Sequence, residues 1–386
     1  MNNKAEQKVK DRARVMELVK EGKITLKDAS AQLGISYRQG KRVYSDYVEG
    51  GEAALEHGNK GREPVNKTEK ELVEKAMELF GEKYDDFAPT FAAEKLEELD
   101  GIALSVSVLR RAMIANDLWV PAENTFEHRS RREAKEHFGE LVQFDGSHHK
   151  WFEERGPRCC LITLIDDARK IRLSQFFDEE TMFGAMKVLK MWIKRYGIPQ
   201  ALYCDRKNAF VLTREATDSE LLEGITKPKS HFGRACEKLG IEVIAAYSAQ
   251  AKGRVERNHG IDQDRLVKEL RLAGISTIPE ANRFLLNYYL PKMNRKFSRT
   301  SRNPDDFHRP LGKIKLNDVL CIEEERTVAK DFVVRYTARL FQILKNSKVL
   351  PRPGDKVTVR LWMDESIHVY WKGEPVRIKE IPTMFD

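Results

Sequence analysis

What most constrains the fold of this chain is an ordered alternation of elements between residues 141 and 270. Leu141-Val142-Gln143-Phe144-Asp145 predicts a short strand ending in a carboxylate. Cys159–Asp166 and Lys170–Phe177 are rich in strand formers and are joined by the tight turn Asp167-Ala168-Arg169. Met182–Tyr196 has helical spacing of its apolar residues and is closed by Gly197 and Pro199. Ala201-Leu202-Tyr203-Cys204-Asp205 predicts another strand ending in a carboxylate, followed by a helix over Phe232–Leu239, a strand over Ile241–Ala246 and a helix over Arg254–Leu270. Strand, hairpin, helix, strand, helix, strand, helix describes a mixed sheet flanked by helices, an α/β core.

The N-terminal side is helical. Val15, Leu18 and Val19 form one apolar stripe, ended by Gly22. Thr25 then caps a short helix with Asp28 three residues on, Gly34 supplies a tight turn, and Ser36 caps a further helix through about Tyr47. Leu26, Leu33, Ile35 and Val43 give the inner face of a helix-turn-helix. Tyr37, Arg38, Gln39, Lys41 and Arg42 open its recognition helix, where side chains reach base edges and phosphates. A helical hairpin with a solvated basic face has the same pattern, and these residues alone do not separate the two. A second helical unit follows a linker at Gly58–Pro64, with Arg110 and Arg111 as candidate phosphate contacts.

The expected organisation is multidomain α/β: a helix-turn-helix DNA-binding domain at 1–60, a second helical DNA-binding domain at 66–120, a linker at 121–137 with Arg129, Arg131 and Arg132, the mixed-sheet core at 138–290, a basic connector at 291–313, and a terminal domain at 314–386. Short β-rich runs at 332–334, 357–359 and 367–371 predict that this last domain is a small β-barrel.

Composition narrows the partners. With 33% charged and 41% hydrophobic residues the chain is globular rather than disordered, and its net charge of +8 favours a polyanion. No apolar run reaches membrane-spanning length and Met1–Lys10 holds no apolar signal stretch, so a cytoplasmic protein without a membrane partner is expected. The five cysteines, Cys159, Cys160, Cys204, Cys236 and Cys321, form no CxxC pair and are expected to be reduced and structural, with no structural zinc.

Asp145 and Asp205 each follow an apolar strand, and strand ends are where open α/β sheets bind ligands. Glu256 falls in the first turn of the last core helix. Singly, each has an ordinary structural use as a turn residue, a cap or a partner of the helix dipole. Together, in this order of elements, they are expected to converge on one site, where three carboxylates repel unless a hard cation intervenes. Mg²⁺ suits such an open oxygen site, and a pair of ions can activate the attacking oxygen and stabilise the leaving one in phosphoryl transfer; Mn²⁺ is the expected substitute. Asp166 and Asp167 belong to the hairpin turn, and His148 and His149 predict a surface turn, with a DNA or metal contact as the alternative. Pro291–Asn303 carries Lys292, Arg295, Lys296, Arg299 and Arg302 and no acid, which predicts a groove for the backbone of double-stranded DNA rather than a solvated loop.

Tyr247-Ser248-Ala249-Gln250-Ala251-Lys252-Gly253-Arg254-Val255-Glu256-Arg257 resembles the segment around the third catalytic residue of the retroviral-integrase-like transposases. Phe144-Asp145-Gly146-Ser147 and Tyr203-Cys204-Asp205 resemble the first two acidic motifs, and Trp151–Glu153 and Gln263–Leu270 are similar to ISNCY-type insertion-sequence transposases. The resemblance implies a ribonuclease-H-like core in which Asp145, Asp205 and Glu256 are catalytic and ligate metal, with Gln250, Lys252 and Arg254 beside DNA. It further implies a transposase that binds its element's terminal repeats, cuts DNA and joins it to a target, as a homo-multimer on DNA. Two departures are Ala249, where many members have proline, and the 50 residues between Asp205 and Glu256, which hold a polar stretch at 210–230 that reads as a surface insertion. In-line displacement at phosphorus needs no protein nucleophile, and the chain shows no Ser/His or Cys/His constellation. Two other functions suit the same residues: a helix-turn-helix regulator on an inactive core, and a nuclease that cuts without joining.

Overall fold

The computed structural model describes residues 3–56, 68–121, 133–204, 217, 221, 228–245 and 253–382. The linker at 58–64, Arg129, Arg131 and Arg132, Asp205, most of the 210–230 stretch, and residues 247–252 with Gln250 and Lys252 lie outside the described residues. The chain divides into two compact units, 1–124 and 125–386. Among the described residues no helix is long and apolar enough to cross a membrane.

In the first unit, α1 (Asn3–Lys20), α2 (Leu26–Gln32) and α3 (Tyr37–Ala54) enclose Met16 and Ala29. Thr25 accepts from the Asp28 amide at 3.2 Å. Ser36 and Gln39 form a full capping box: the Ser36 hydroxyl accepts from the Gln39 amide and the Gln39 carboxamide oxygen accepts from the Ser36 amide, both at 3.3 Å. Helices α2 and α3 cross closely at Gly40, where a Cβ would collide with Ser30 Oγ. Helix α3 runs past its predicted end near Tyr47 and is kinked at Gly51, whose φ of 64° a side chain would resist, before helix resumes to Ala54. A second cluster built on Phe80, Tyr84, Phe87, Phe91, Leu96, Leu109 and Met113 joins α4 (Lys70–Lys83), α5 (Pro89–Asp100) and α6 (Val106–Ala115).

In the second unit, β1 (Val142–His149), β2 (Cys159–Asp166), β3 (Arg172–Phe177), β4 (Ala201–Cys204) and β5 (Glu242–Ala245) form one sheet in the order β3-β2-β1-β4-β5. The β1–β2 and β2–β3 pairs are antiparallel, while β1–β4 and β4–β5 are parallel. Helix α7 (Met182–Tyr196) connects β3 to β4, α8 (His231–Lys238) precedes β5, and α9 (Gly253–Leu272) follows it. This is the mixed sheet expected of a ribonuclease-H-like core. Strand β2 is buried along all 8 residues, which accounts for its nearly unbroken apolar run.

Two features of this core differ from the sequence expectation. Strand β1 does not stop at Asp145; its ladder with β2 continues to His149↔Cys159, so the carboxylate stands mid-strand, and His148 and His149 lie on the strand rather than in a turn. The apolar run ends at Phe144, but the backbone partners offered by β2 do not. The connector expected from Pro291 is helical at first: α10 (Ile278–Phe284), a π turn over Leu285–Tyr289 and α11 (Leu290–Phe297) are continuous. Pro291 has no N–H to donate to the preceding turn, and the widened π turn is where the helix absorbs that loss. Two asparagines of this helical run close the free edge of β3. Asn282 exchanges a pair of bonds with the Phe176 backbone (2.7 and 3.0 Å), and Asn294 does the same with Arg172 (2.9 and 2.8 Å), each carboxamide standing in for a neighbouring strand.

The tail contains α12 (Leu316–Val319), then β6 (Ile322–Thr327), β7 (Val333–Tyr336), β8 (Arg339–Ile343), β9 (Lys356–Leu361), β10 (Ile367–Trp371), β11 (Glu374–Val376) and β12 (Ile378–Ile381). These make two antiparallel sheets, β11-β10-β9-β6 and β12-β8-β7, around Val334, Phe341, Val357, Val359 and Val369. The predicted closed barrel is not formed: among the described residues no strand pair joins the two sheets. Nor is the tail free-standing. Leu316 and Leu320 join the core cluster, and Glu323 is held by Arg234 (3.2 Å) and Lys238 (2.7 Å) of α8 and by Arg360 (2.7 Å). Burial alone would raise the Glu323 carboxyl, but its bonds to these cations hold it below the ordinary carboxylate range.

Candidate active site

Helix α9 lies along one face of β1, parallel to it, with three contacts in register. The Val255 amide donates to Gln143 Oε1 (3.3 Å), His259 Nε2 stands 3.4 Å from Asp145 Oδ2, and Gln263 Nε2 donates to Ser147 Oγ (3.1 Å). Four residues of helix climb about 6 Å, and two residues of strand advance about 6.6 Å. Steps of four on α9 therefore keep pace with steps of two on β1, whose odd-numbered side chains share this face. Gln143 is itself fixed by the β2–β3 turn. Its Nε2 donates to Asp167 Oδ1 (2.7 Å), and Asp167 Oδ2 accepts from the Lys135 amide (2.8 Å). The buried turn aspartate thus decides that Gln143 offers its oxygen to the first turn of α9, where Glu256 is exposed. Its neighbour Asp166 is pushed by burial to about 6, although the Arg169 and Gly139 amides favour its charged form.

Gln143→Leu should remove this anchor. Hydrogen–deuterium exchange of the amides from Val255 to His259 is expected to speed up by about tenfold or more, the equivalent of one lost buried hydrogen bond. Unchanged exchange there would show that α9 is held in place without Gln143.

The Asp145 side chain is 17% exposed, open enough to meet a ligand, while His259 is 7% exposed and neither ring nitrogen makes a hydrogen bond. His259 is not among the residues to which the sequence pointed. Its signal was available: Glu256 and His259 are three residues apart on a helix already assigned to the site, and so share a flank. One turn further, a buried network anchors the helix. Arg172 donates to both oxygens of Asp262 (2.9 and 3.1 Å) and to Asn258, Asn258 Nδ2 donates to Asp262 (2.9 Å), and the Tyr289 hydroxyl donates to Asp262 (2.7 Å).

Of the predicted acidic trio, Asp145 and the turn bearing Glu256 are brought together. Asp205 follows β4, whose register Val142↔Leu202 and Gln143↔Tyr203 aligns that strand with the first half of β1; Asp205 itself is outside the described residues, as are Gln250 and Lys252. Arg254 stands in the first turn of α9.

Among the candidate DNA contacts, Tyr37, Arg38, Lys41 and Arg42 are exposed on α3, with Lys41 Nζ 4.9 Å from the centre of the Tyr37 ring. Gln39 is also exposed, but its carboxamide oxygen is engaged in the capping box. Arg110 and Arg111 are exposed on α6, and Arg110 lies over the Trp119 ring. In the 291–303 segment Lys292 lies 3.4 Å from Glu269, Arg299 donates to the Ala168 carbonyl (2.9 Å), Arg302 lies 3.8 Å from Glu133 and Lys296 lies over the Phe297 ring; Arg295 and Lys296, in the last turn of α11, and Arg299 and Arg302 beyond it are all exposed.

Residues 11–63 match a family described as "Helix-turn-helix domain". Over 95% of its length the chain is 37% identical to a Sinorhizobium fredii protein named as a transposase, y4bF, and covers 80% of that protein. Over 85% of its length it is 29% identical to the transposase for insertion sequence IS1202 of Streptococcus pneumoniae, covering 76% of it. Among solved structures, the HTLV-2 integrase catalytic core domain in complex with magnesium overlays 39% of this chain and 86% of that chain, at 19% identity and a TM-score of 0.29. A chain of the simian T-cell lymphotropic virus intasome overlays 75% of this chain and 99% of its own length, at 14% identity and a TM-score of 0.34. Both overlays are loose, and the fold of the core rests on its strand order and register.

Proposed function

Because this chain belongs to the insertion-sequence transposases, we propose that it is a polynucleotidyl transferase that binds the terminal repeats of its element and cuts and joins DNA with Asp145, Asp205 and Glu256. The observation that carries this function is the docking of α9 along β1, which sets an accessible mid-strand carboxylate beside the helical turn that bears Glu256. Asp205 is the third member by its place after β4. The donor set fits a hard divalent cation, since it consists of carboxylate oxygens alone. When bound, two Mg²⁺ ions, or Mn²⁺ in their place, supply positive charge to the attacking and leaving oxygens of an in-line displacement.

The work of the protein's own residues is positional. Gln143 holds the turn that bears Glu256, and His259 packs against the Asp145 carboxylate. Tyr37, Arg38, Lys41 and Arg42 are placed for a DNA groove, and Arg295 and Lys296 for phosphates. We assign recognition to 1–60 and 66–120, catalysis to 138–290, and backbone and partner contacts to 291–313 and 314–386. Two element ends must be joined while one site handles one strand, so at least two protomers act together on double-stranded DNA.

The test is strand transfer: duplexes ending in the terminal repeats, cut in advance to expose the 3′-hydroxyl, are expected to join a target plasmid in Mg²⁺ and not in EDTA. Cleavage without joining would assign a nuclease instead. Deleting residues 1–60 is expected to remove discrimination between terminal-repeat and random duplexes, leaving weak binding that falls steeply with salt. Full discrimination by the truncated chain in a gel-shift titration would move recognition elsewhere.

A further inference from the structure

We propose that the end of the β1–β2 hairpin is a separate site for a Zn²⁺-type cation, ligated by His148, Cys160 and Glu180 on the face of β1 opposite Asp145. His148 and Cys160 are direct partners in the β1–β2 ladder, so their side chains leave the sheet on the same side. Glu180 precedes Thr181, the N-cap of α7, and its Oε2 lies 3.6 Å from His148 Nε2. One ligand atom from each of the three lies within 4.8 Å of the others. Around a tetrahedral Zn²⁺, with N and O at about 2.0 Å and S at about 2.3 Å, ligand atoms sit roughly 3.3–3.6 Å apart. The His–Glu separation of 3.6 Å already meets that spacing, and the Cys160 sulfur lies within 4.8 Å of both.

Burial and shape agree. Cys160 is fully buried, the Glu180 side chain is 6% exposed and that of His148 is 59% exposed. The set is therefore closed at Cys160 and open at His148, towards a polar cleft of about 710 Å³ that His148 and Glu180 line together with Cys159, Lys150, Arg158 and Asp178. Three protein ligands with one open position is a familiar zinc arrangement. Gly146 supplies a second observation: a Cβ there would come within 2.6 Å of the Glu180 carboxyl carbon, so this glycine leaves the room that lets Glu180 reach His148. A thiolate, an imidazole and a carboxylate favour Zn²⁺ over Mg²⁺, unlike the all-oxygen set at Asp145 and Glu256. As the ion binds, the Cys160 thiol gives its proton to solvent and a sulfur–metal bond forms, with no change of oxidation state. The bound ion ties the strand that carries Asp145 to the turn that starts α7.

Co²⁺ is the probe. Titrated into the full chain after metal removal by chelation, Co²⁺ is expected to give a thiolate-to-cobalt charge-transfer band that saturates at about one equivalent per chain, and that Zn²⁺ but not Mg²⁺ displaces. The carboxylate site has no thiolate and is silent in this band. Cys160→Ser should abolish it, Cys159→Ser and Asp145→Asn should leave it, and His148→Gln or Glu180→Gln should each weaken Co²⁺ binding by more than about tenfold. The latter two substitutions are at the cleft and keep the test decisive should Cys160→Ser fail to fold. The site is overturned if stoichiometric Co²⁺ gives no thiolate band, or if the band keeps full affinity in both His148→Gln and Glu180→Gln.

Discussion

Asp145→Asn, Asp205→Asn and Glu256→Gln are each expected to lower Mg²⁺-dependent cleavage and joining by about a thousandfold or more, while binding to terminal-repeat DNA stays within about twofold. Each substitution keeps the shape of the side chain and removes the negative charge that holds a cation. The helix-turn-helix lies in the other compact unit and is untouched, which is why binding and chemistry should separate. Asp305→Asn, an exposed aspartate, is the control. Asp167→Asn is not an indifferent control, because Asp167 orients Gln143 and so reaches the turn of Glu256 at one remove. Cleavage time courses beside gel shifts decide the matter, and a variant that cuts at a near-normal rate leaves the catalytic set.

Asp262→Ala is expected to destabilise the second unit by about 3–5 kcal/mol, the usual cost of stripping one partner from a buried ion pair. The Arg172 and Asp262 side chains are 3% and 2% exposed, and Arg172 Nη2 already has no hydrogen-bond partner. Without Asp262 the guanidinium is left charged in a dry interior. The Tyr289 hydroxyl loses its acceptor too; burial first, and then the Asp262 carboxylate, keep that phenol protonated far above its ordinary value. A unit of this size should lose on the order of 10 °C in melting temperature. The double variant Arg172→Met with Asp262→Leu should cost less than either single change, since an apolar pair leaves no orphan charge. Urea unfolding of the parent, Arg172→Met, Asp262→Leu and the double variant gives the cycle, with Asp262→Ala measured beside it; an Asp262→Ala chain within about 1 kcal/mol of the parent would mean that solvent or a neighbour compensates the arginine.

Much of the first unit is legible from sequence alone. Thr25, Gly34 and Ser36 mark caps and a turn, and the apolar stripe through Leu26, Leu33 and Val43 closes the same way in three dimensions, because caps and hydrophobic period depend on neighbours within a turn or two. The order of core elements is readable for the same reason, while the approach of the Glu256 helix to Asp145 is a long-range matter that a family resemblance supplied. What lay beyond the sequence depends on partners far along the chain. Strand β1 runs past its apolar residues because β2 offers a ladder, and the basic stretch after Tyr289 stays helical because a π turn absorbs Pro291. The tail splits into two sheets docked through Glu323 instead of closing on itself. His148, Cys160 and Glu180 carry no spacing motif, since they come from β1, β2 and the turn before α7. Local sequence is enough to place the caps, the elements from β2 to α9 and the apolar residues of the core; the extent of β1, register, the edge closed by Asn282 and Asn294, and the meeting of distant side chains come from tertiary packing, because a residue's opposite number across a sheet is set by another segment's geometry and not by its own neighbours.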